Sequence, residues 1–317
     1  MTGGAAPTSG GNSTSGGAST SGGAFASGGA FTSGGAFTSG GAGNNAGGSA
    51  GGSISAGASG VGGAPIGGGG SGASGGPASG GSGGGSNGKG FLSEDFEGQT
   101  AGKQPTGWDN FVAWNKNGAN PSGDTSALVD ETRAHSGMRS ILFKGGGNPA
   151  MITRALPMGT NKLYVRAWFY MTRQLGMNPG ANHETLIGIR AETGGASNEV
   201  RFGEIKGVIG TNEVPSDNIS PKMDQWGKGP TIPANAWNCI EVAFLADQAN
   251  HELHAWHNGS EVHSVTAGDQ WQNGAMPATW LNGKFLEVIL GWHSFSSAAN
   301  EVWMDDLVLS TSRIGCD

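Results

Sequence analysis

Residues 253–265 read Leu253-His254-Ala255-Trp256-His257-Asn258-Gly259-Ser260-Glu261-Val262-His263-Ser264-Val265. Two short β-rich runs, Leu253–His257 and Glu261–Val265, flank Asn-Gly, the dipeptide that most readily takes the two left-handed positions of a tight hairpin. The same texture extends outward on both sides. Short β-rich runs occur at Phe91–Phe96, Ser140–Lys144, Met151–Leu156, Leu163–Met171, Thr185–Arg190, Val200–Ile205, Cys239–Leu245, Phe285–Trp292 and Val302–Ser310. Gly, Asn, Pro and Ser separate them, and no helical period persists over 11 or more residues. The alternation in Leu163-Tyr164-Val165-Arg166-Ala167-Trp168-Phe169-Tyr170 suits a strand with two different faces. About eleven short strands with turn signals predict an all-β sandwich or jelly roll.

The rest of the chain is of another kind. Of 317 residues 63 are glycine, and 37 of those glycines fall in residues 1–90. Residues 1–88 hold no Asp, Glu, Lys, Arg or His, and after Met1 their large apolar residues are Phe25, Phe31, Phe37, Ile54, Val61 and Ile66. Such a stretch cannot bury enough surface to offset about 1–2 kcal/mol of backbone entropy per residue. We therefore expect a disordered low-complexity linker over 1–88 and one domain over 89–317, which carries every charge and all 10 Trp. A hexad, Ser-Gly-Gly-Ala-Phe-Ala/Thr, recurs around Phe25, Phe31 and Phe37, too briefly for a β-helix. As a random coil the segment would span roughly 50 Å.

A net charge of −7, scattered, gives no nucleic-acid footprint. No apolar run is long enough for a transmembrane helix. The start, Met-Thr-Gly-Gly, lacks an export signal. A tail of this kind usually follows one, so we expect a monomer that is secreted or tethered at the cell surface. In an exported chain Cys239 and Cys316 would pair, closing a loop worth about 4 kcal/mol; in a cytosolic one they would remain reduced.

Several segments in order carry a resemblance. They are Ser93-Glu94-Asp95-Phe96-Glu97, Ala134-His135-Ser136-Gly137-Met138-Arg139-Ser140, Leu163–Trp168, Val200-Arg201-Phe202-Gly203, Trp256-His257-Asn258-Gly259-Ser260, Gly291-Trp292, Val302-Trp303-Met304-Asp305-Asp306 and Ser312-Arg313-Ile314-Gly315-Cys316. Together they resemble the cellulose-induced protein (Cip) family over roughly residues 91–317. The resemblance implies an all-β, concanavalin-like β-jelly roll sandwich that binds calcium and has a concave cleft, similar to glucuronan and alginate lyases, and that binds or cleaves uronic-acid polysaccharides. It implies structural Ca2+ held by Glu97, Asp305 and the backbone carbonyls of Ser136 and Arg139, with Asp95 as a further carboxylate; calcium takes six to eight hard oxygen ligands.

A lyase of this class removes the proton α to a carboxylate, so it needs a group that neutralises that carboxylate, a base and an acid. The candidates are His183, Glu199, Arg201, Lys206, Asp217 and His293. Arg201 and His183 match cleft positions of the family. Glu199, Arg201 and Gly203 alternate and share one strand face; glycine there would leave room for a ligand. Trp292 and Trp256 are candidates for stacking on sugar rings, Trp168 and Trp303 for the core. The spacing of His251, His254 and His257 does not put them on one face, which disfavours a metal cluster.

The sequence departs from the family where it has Phe295 in place of a tyrosine, Ile205 in place of a glutamine, Glu199 in place of a histidine and His293 in place of an acid. The favoured expectation is a calcium-stabilised domain that binds cell-wall glycans, including uronic-acid-containing ones, through Arg201, His183, Asp217 and Trp292. The alternatives are an active polysaccharide lyase with His183 or His293 as base, and a structural surface protein.

Overall fold

The computed structural model describes residues 90–118, 124–178, 180–191, 198–214, 216–281 and 284–316. The expected linker, residues 1–88, lies outside the described residues. Sixteen strands follow in order: β1 (Leu92–Glu94), β2 (Asp109–Val112), β3 (Asn115–Lys116), β4 (Ser126–Asp130), β5 (Ser140–Gly145), β6 (Ala150–Ala155), β7 (Lys162–Met171), β8 (His183–Ala191), β9 (Asn198–Ile205), β10 (Val208–Val214), β11 (Asn218–Ser220), β12 (Trp237–Leu245), β13 (Glu252–His257), β14 (Ser260–Val265), β15 (Phe285–Ser294) and β16 (Asn300–Ser310). All eleven expected runs are strands, with ends shifted by at most two residues.

Two antiparallel sheets form a jelly-roll sandwich. The first runs β14-β13-β12-β7-β16-β5-β4, with β1 added along the end of β16. The second runs β11-β10-β9-β8-β15-β6-β2-β3. The hairpin expected at Asn258-Gly259 joins β13 to β14, both turn residues having positive φ (47° and 83°). That conformation suits Asn and Gly and matches the strands' twist.

Strand alternation builds the core. In β7, Leu163, Val165, Ala167, Phe169 and Met171 are fully buried between the sheets. Tyr164, Trp168 and Tyr170 take the outer face and are half-buried. Trp168 is therefore not a core residue; its ring stacks on His135 at 3.9 Å. Trp303 is buried as expected, and its indole donates to Asp130 at 2.8 Å. Phe143, Phe169, Phe202, Phe244, Phe285 and Trp292 fill the interior, each contributing about 2–3 kcal/mol by burial.

The C-terminal segment is strapped to the outer face of the first sheet. Cys239 of β12 bonds Cys316 across a separation of 77 residues. Two residues along the same strand, the buried Glu241 accepts the backbone N–H groups of Ile314 (2.7 Å) and Gly315 (3.1 Å). Between the sheets His263 of β14 lies 3.1 Å from the hydroxyl of Thr211 in β10. Burial, with a smaller contribution from His254, pushes its pKa down to about 4.

Two predictions follow from these contacts. Replacing both cysteines by serine lowers the unfolding free energy by about 2–4 kcal/mol; an unchanged denaturant midpoint and slope would show that Glu241 alone fixes the tail. His263 stays neutral in the fold while its unfolded counterpart protonates near pH 6.5. Stability is therefore fully present above that pH and is lost as pH falls from about 6.5 to about 4, at about 1.4 kcal/mol per pH unit. In chemical denaturation across that window, His263→Gln should flatten the acid limb by one proton relative to wild type; parallel limbs would contradict the assignment.

Candidate functional site

The outer face of the second sheet gathers the polar residues that alternation turns away from the core. In β9 these are Glu199, Arg201 and Gly203. Arg190 lies opposite Glu199 across the β8–β9 ladder, and Glu287 opposite Arg190 across β8–β15. The result is a row of alternating charge. Lys116, brought in by β3, donates to Glu287 at 2.8 Å. Arg190 pairs with Glu287 through Nη1 and with Glu199 Oε1 through Nη2 at 2.6 Å. Arg201 Nε and Nη2 both donate to Glu199 Oε2, at 2.9 and 2.6 Å. Burial alone would raise the Glu199 carboxyl, but the two guanidiniums outweigh it and hold its pKa below the usual value.

A second group lies at the start of β8. His183 Nδ1 is 3.2 Å from Asp217 Oδ1, which also accepts from Asn212 Nδ2 at 3.0 Å. Burial lowers the His183 pKa, helped by Lys206 and Arg201 and opposed by Asp217. Lys206 donates to Asn182 Oδ1. The third group is aromatic. Phe295, 43% exposed, has the His293 ring 4.1 Å away, the His183 ring 6.1 Å away and the Arg201 guanidinium over its face at 5.4 Å. Burial first, then Arg201, pushes the His293 pKa down to about 4. His293 hydrogen-bonds the backbone of Gly147, and its Nε2 is buried without a partner.

The sequence reading missed Trp114. It is 54% exposed, lies edge-on to His293 at 4.9 Å and to Phe295 at 6.5 Å, and donates its indole N–H to Asn148 at 3.0 Å. It occupies a two-residue turn between β2 and β3, where Val112 pairs Asn115. Ala113 and Trp114 both have positive φ, 49° and 67°. The Asn-Gly hairpin above adopts that conformation freely; here two residues with side chains hold it at a cost of about 1–2 kcal/mol each. Strain retained around an exposed aromatic points to a role for it.

The structure thus brings His183, Asp217, Lys206, Arg201, Glu199 and His293 into one region, and it corrects several expectations. Trp292 is fully buried, its indole donating to the Ala298 carbonyl, so it cannot stack on a ligand. Trp256 is on the other sheet beneath the Arg313 guanidinium, 4.3 Å from its ring. Gly203 does not provide space for a ligand: a Cβ there would meet the Glu184 carbonyl oxygen at 1.8 Å, at a bulge between β8 and β9. Ile205 is fully buried. A cavity of about 450 Å3 lies elsewhere, bordered by Asp130, Glu131, Leu142 and Lys144, and no candidate residue lines it.

The expected calcium ligands meet at the turn 135–139 on the first sheet. Glu97 Oε1 accepts the N–H groups of Met138 and Arg139, each at 2.7 Å. Asp305 Oδ2 accepts those of His135 (2.8 Å) and Ser136 (3.1 Å). Asp305 is fully buried, and burial, followed by its neighbour Asp306, raises its pKa to about 7. Among the described residues no ion pair reaches it. Asp95 instead caps its own turn, accepting from Glu97 N. Arg139 directs its guanidinium to the Glu97 carbonyl and to Glu131. Among the described residues no three His, Cys, Asp or Glu side chains converge as a metal cluster.

Comparison places this architecture. Cellulose induced protein Cip1 is similar at 26% identity over 71% of this chain and 100% of that chain, with a TM-score of 0.53. More distant likenesses include the CBM22-1 xylan-binding domain from Paenibacillus barcinonensis Xyn10C (11% identity, 73% and 97% covered, TM-score 0.35) and an endo-1,3-beta-glucanase from Streptomyces sioyaensis (12%, 72% and 98%, TM-score 0.43). No curated protein matches the chain. The Cip1-like core-domain model of the polysaccharide-lyase-like family matches residues 104–312. The chain belongs to this Cip1-like family, and its jelly roll is a carbohydrate-related domain.

Proposed function

We propose that the domain is a secreted or surface-tethered, monomeric, calcium-stabilised module that binds cell-wall polysaccharide on the outer face of the second sheet. One observation carries this reading: Trp114 is exposed beside His293 and Phe295, on a turn strained to hold it there, and Phe295 in turn borders Arg201 and His183. A flat aromatic next to fixed polar groups suits a sugar ring, whose C–H face stacks while its hydroxyls bond. The second reading is a lyase acting by β-elimination on a uronan. In its favour, His183 and His293 both flank Phe295. Against it, Phe295 carries no proton, and the free nitrogen of His293 is shut off from solvent. A general base must reach the proton it removes.

Calcium belongs to the proposal. Asp305 is a buried carboxylate without a cationic partner among the described residues, and a hard cation would offset its charge. Glu97 and Asp305 would hold it, with carbonyls from Ser136 and Arg139. The ion would link the first and last strands of the domain; it takes no part in the glycan site.

In affinity electrophoresis against a panel of soluble neutral and acidic polysaccharides, we expect retention without product. Trp114→Ala should weaken it about tenfold, the scale of one lost aromatic contact. An unsaturated product absorbing in the near ultraviolet would establish the lyase instead. For calcium, chelation should lower the melting temperature of wild type and leave that of Asp305→Ala unaffected; at a hundredfold excess over the dissociation constant the ion contributes about 2.7 kcal/mol. Identical wild-type melts with and without chelator would remove calcium from the account.

A further inference from the structure

An arginine grips a carboxylate best through two parallel N–H bonds from one edge of the guanidinium. The Nε–Nη2 edge of Arg201 already has a carboxylate on it, both donors ending on Glu199 Oε2. Glu199 is not loosely placed. Its other oxygen serves Arg190, its side chain is 12% exposed, and Arg190 is tied in turn to Glu287, which also holds Lys116. For a uronate to take this edge, Glu199 would have to leave. The exchange swaps one carboxylate for another and strands a desolvated charge, which is expensive. The neighbours add no net positive charge, since Lys206 near His183 is offset by Asp217. Asp217 adds a negative charge on the same face, and its 63%-exposed side chain is open to a ligand. Neither His183 nor His293 is charged near neutral pH, since burial lowers both.

Resting on the glycan-binding reading of this site, we infer that Glu199 is a specificity-determining residue: by capping the Nε–Nη2 edge of Arg201 it closes the side-on fork that would clamp a uronate, and it sets the site for neutral glycans. Hydroxyls remain welcome. A sugar O–H can donate to the carboxylates of Glu199 and Asp217 without displacing them, whereas a uronate carboxylate accepts only and meets two like charges. Trp114, 6.5 Å from Phe295, supplies a stacking surface indifferent to charge.

Matched pairs isolate the carboxylate: β-1,4-glucan, β-1,3-glucan and β-1,4-mannan oligosaccharides, each against its C6-oxidised uronate form, titrated calorimetrically into the full chain. Wild type should bind at least one neutral member about tenfold or more tighter than its oxidised partner, with little dependence on salt. Glu199→Gln should raise affinity for the oxidised member about tenfold and change the neutral one less than threefold. Adding Arg201→Gln to that variant should abolish the gain. Arg201→Gln alone decides the matter should Glu199→Gln fold poorly: with the fork already capped, the neutral-to-uronate ratio stays at the wild-type value. Wild-type preference for the oxidised members, a selective loss of uronate binding in Arg201→Gln, or an unchanged ratio in folded Glu199→Gln would each overturn the inference while leaving glycan binding intact. Wild type binding no member of any pair would overturn both.

Discussion

Two strand-built sheets joined by long loops leave many loop N–H groups without a ladder partner, and a buried N–H cannot go unpaired. Here acidic side chains reaching from strands and turns meet that demand. Asp305 takes the N–H groups of residues 135 and 136, Glu97 those of 138 and 139, Glu241 those of 314 and 315, and Glu204 that of Asn178. Each holds a loop or tail against a sheet through a charged acceptor, the stronger kind of hydrogen bond. The arrangement concentrates buried negative charge, and its consequences run through the molecule. Arg173 sits against Glu184 and within 3.7 Å of Glu204. Arg313 approaches Glu241. Asp305 has no such counterpart among the described residues; both its oxygens accept backbone N–H groups, from His135, Ser136 and Asp306.

The same rule explains why the functional face is crowded. Strands β8 and β15 are buried nearly along their whole length, on both faces. Toward the other sheet this is apolar packing. On the outer side it is achieved by the charges from Lys116 to Arg201 covering one another. Each carboxylate in that row lies between two cations, so the three cations and two carboxylates pair along it and leave one net positive charge. The strong bonds of this face are already made among its own side chains, and its open features are Trp114, Phe295 and Asp217.

Much of the fold was legible because its strands are long and β-rich, and because Asn258-Gly259 announces its hairpin. Strands β2, β3, β4, β10 and β11 were not, for local reasons. Val208-Ile209-Gly210-Thr211-Asn212-Glu213-Val214 mixes glycine with polar residues, and β3 and β11 are two and three residues long. The hairpin at Ala113-Trp114 carries none of the residues that favour its geometry, so no turn signal marks it. That one omission hid the exposed tryptophan, while Trp292, placed next to a glycine at the end of a strand, looked available. In β15 alternation cannot separate inside from outside, because both sides are buried. The polar candidates fared better: Arg201 and Glu199 were correctly put on one face. Their two-residue spacing could not reveal that Arg190, from the neighbouring strand, would fix Glu199 in place.

Three features of this face bear on the lyase reading, and they share a cause. An eliminase must hold a carboxylate, pull a proton and return one. Here the arginine's fork is filled by Glu199, the best-placed imidazole is covered by Phe295 and Trp114, and the position between the two histidines is phenylalanine. These are not three independent losses. Phe295 packs on His293, His183 and the Arg201 guanidinium at once, and desolvating this cluster keeps the imidazoles neutral. Filling the centre with an apolar ring therefore lowers the basicity of both histidines and strengthens the Arg201–Glu199 pair by the same exclusion of water. A hydroxyl at the centre would readmit a proton carrier, but the arginine would still face Glu199 and not a substrate. The arginine, the carboxylates and the two imidazoles of this face are thus held by one another and by one apolar ring.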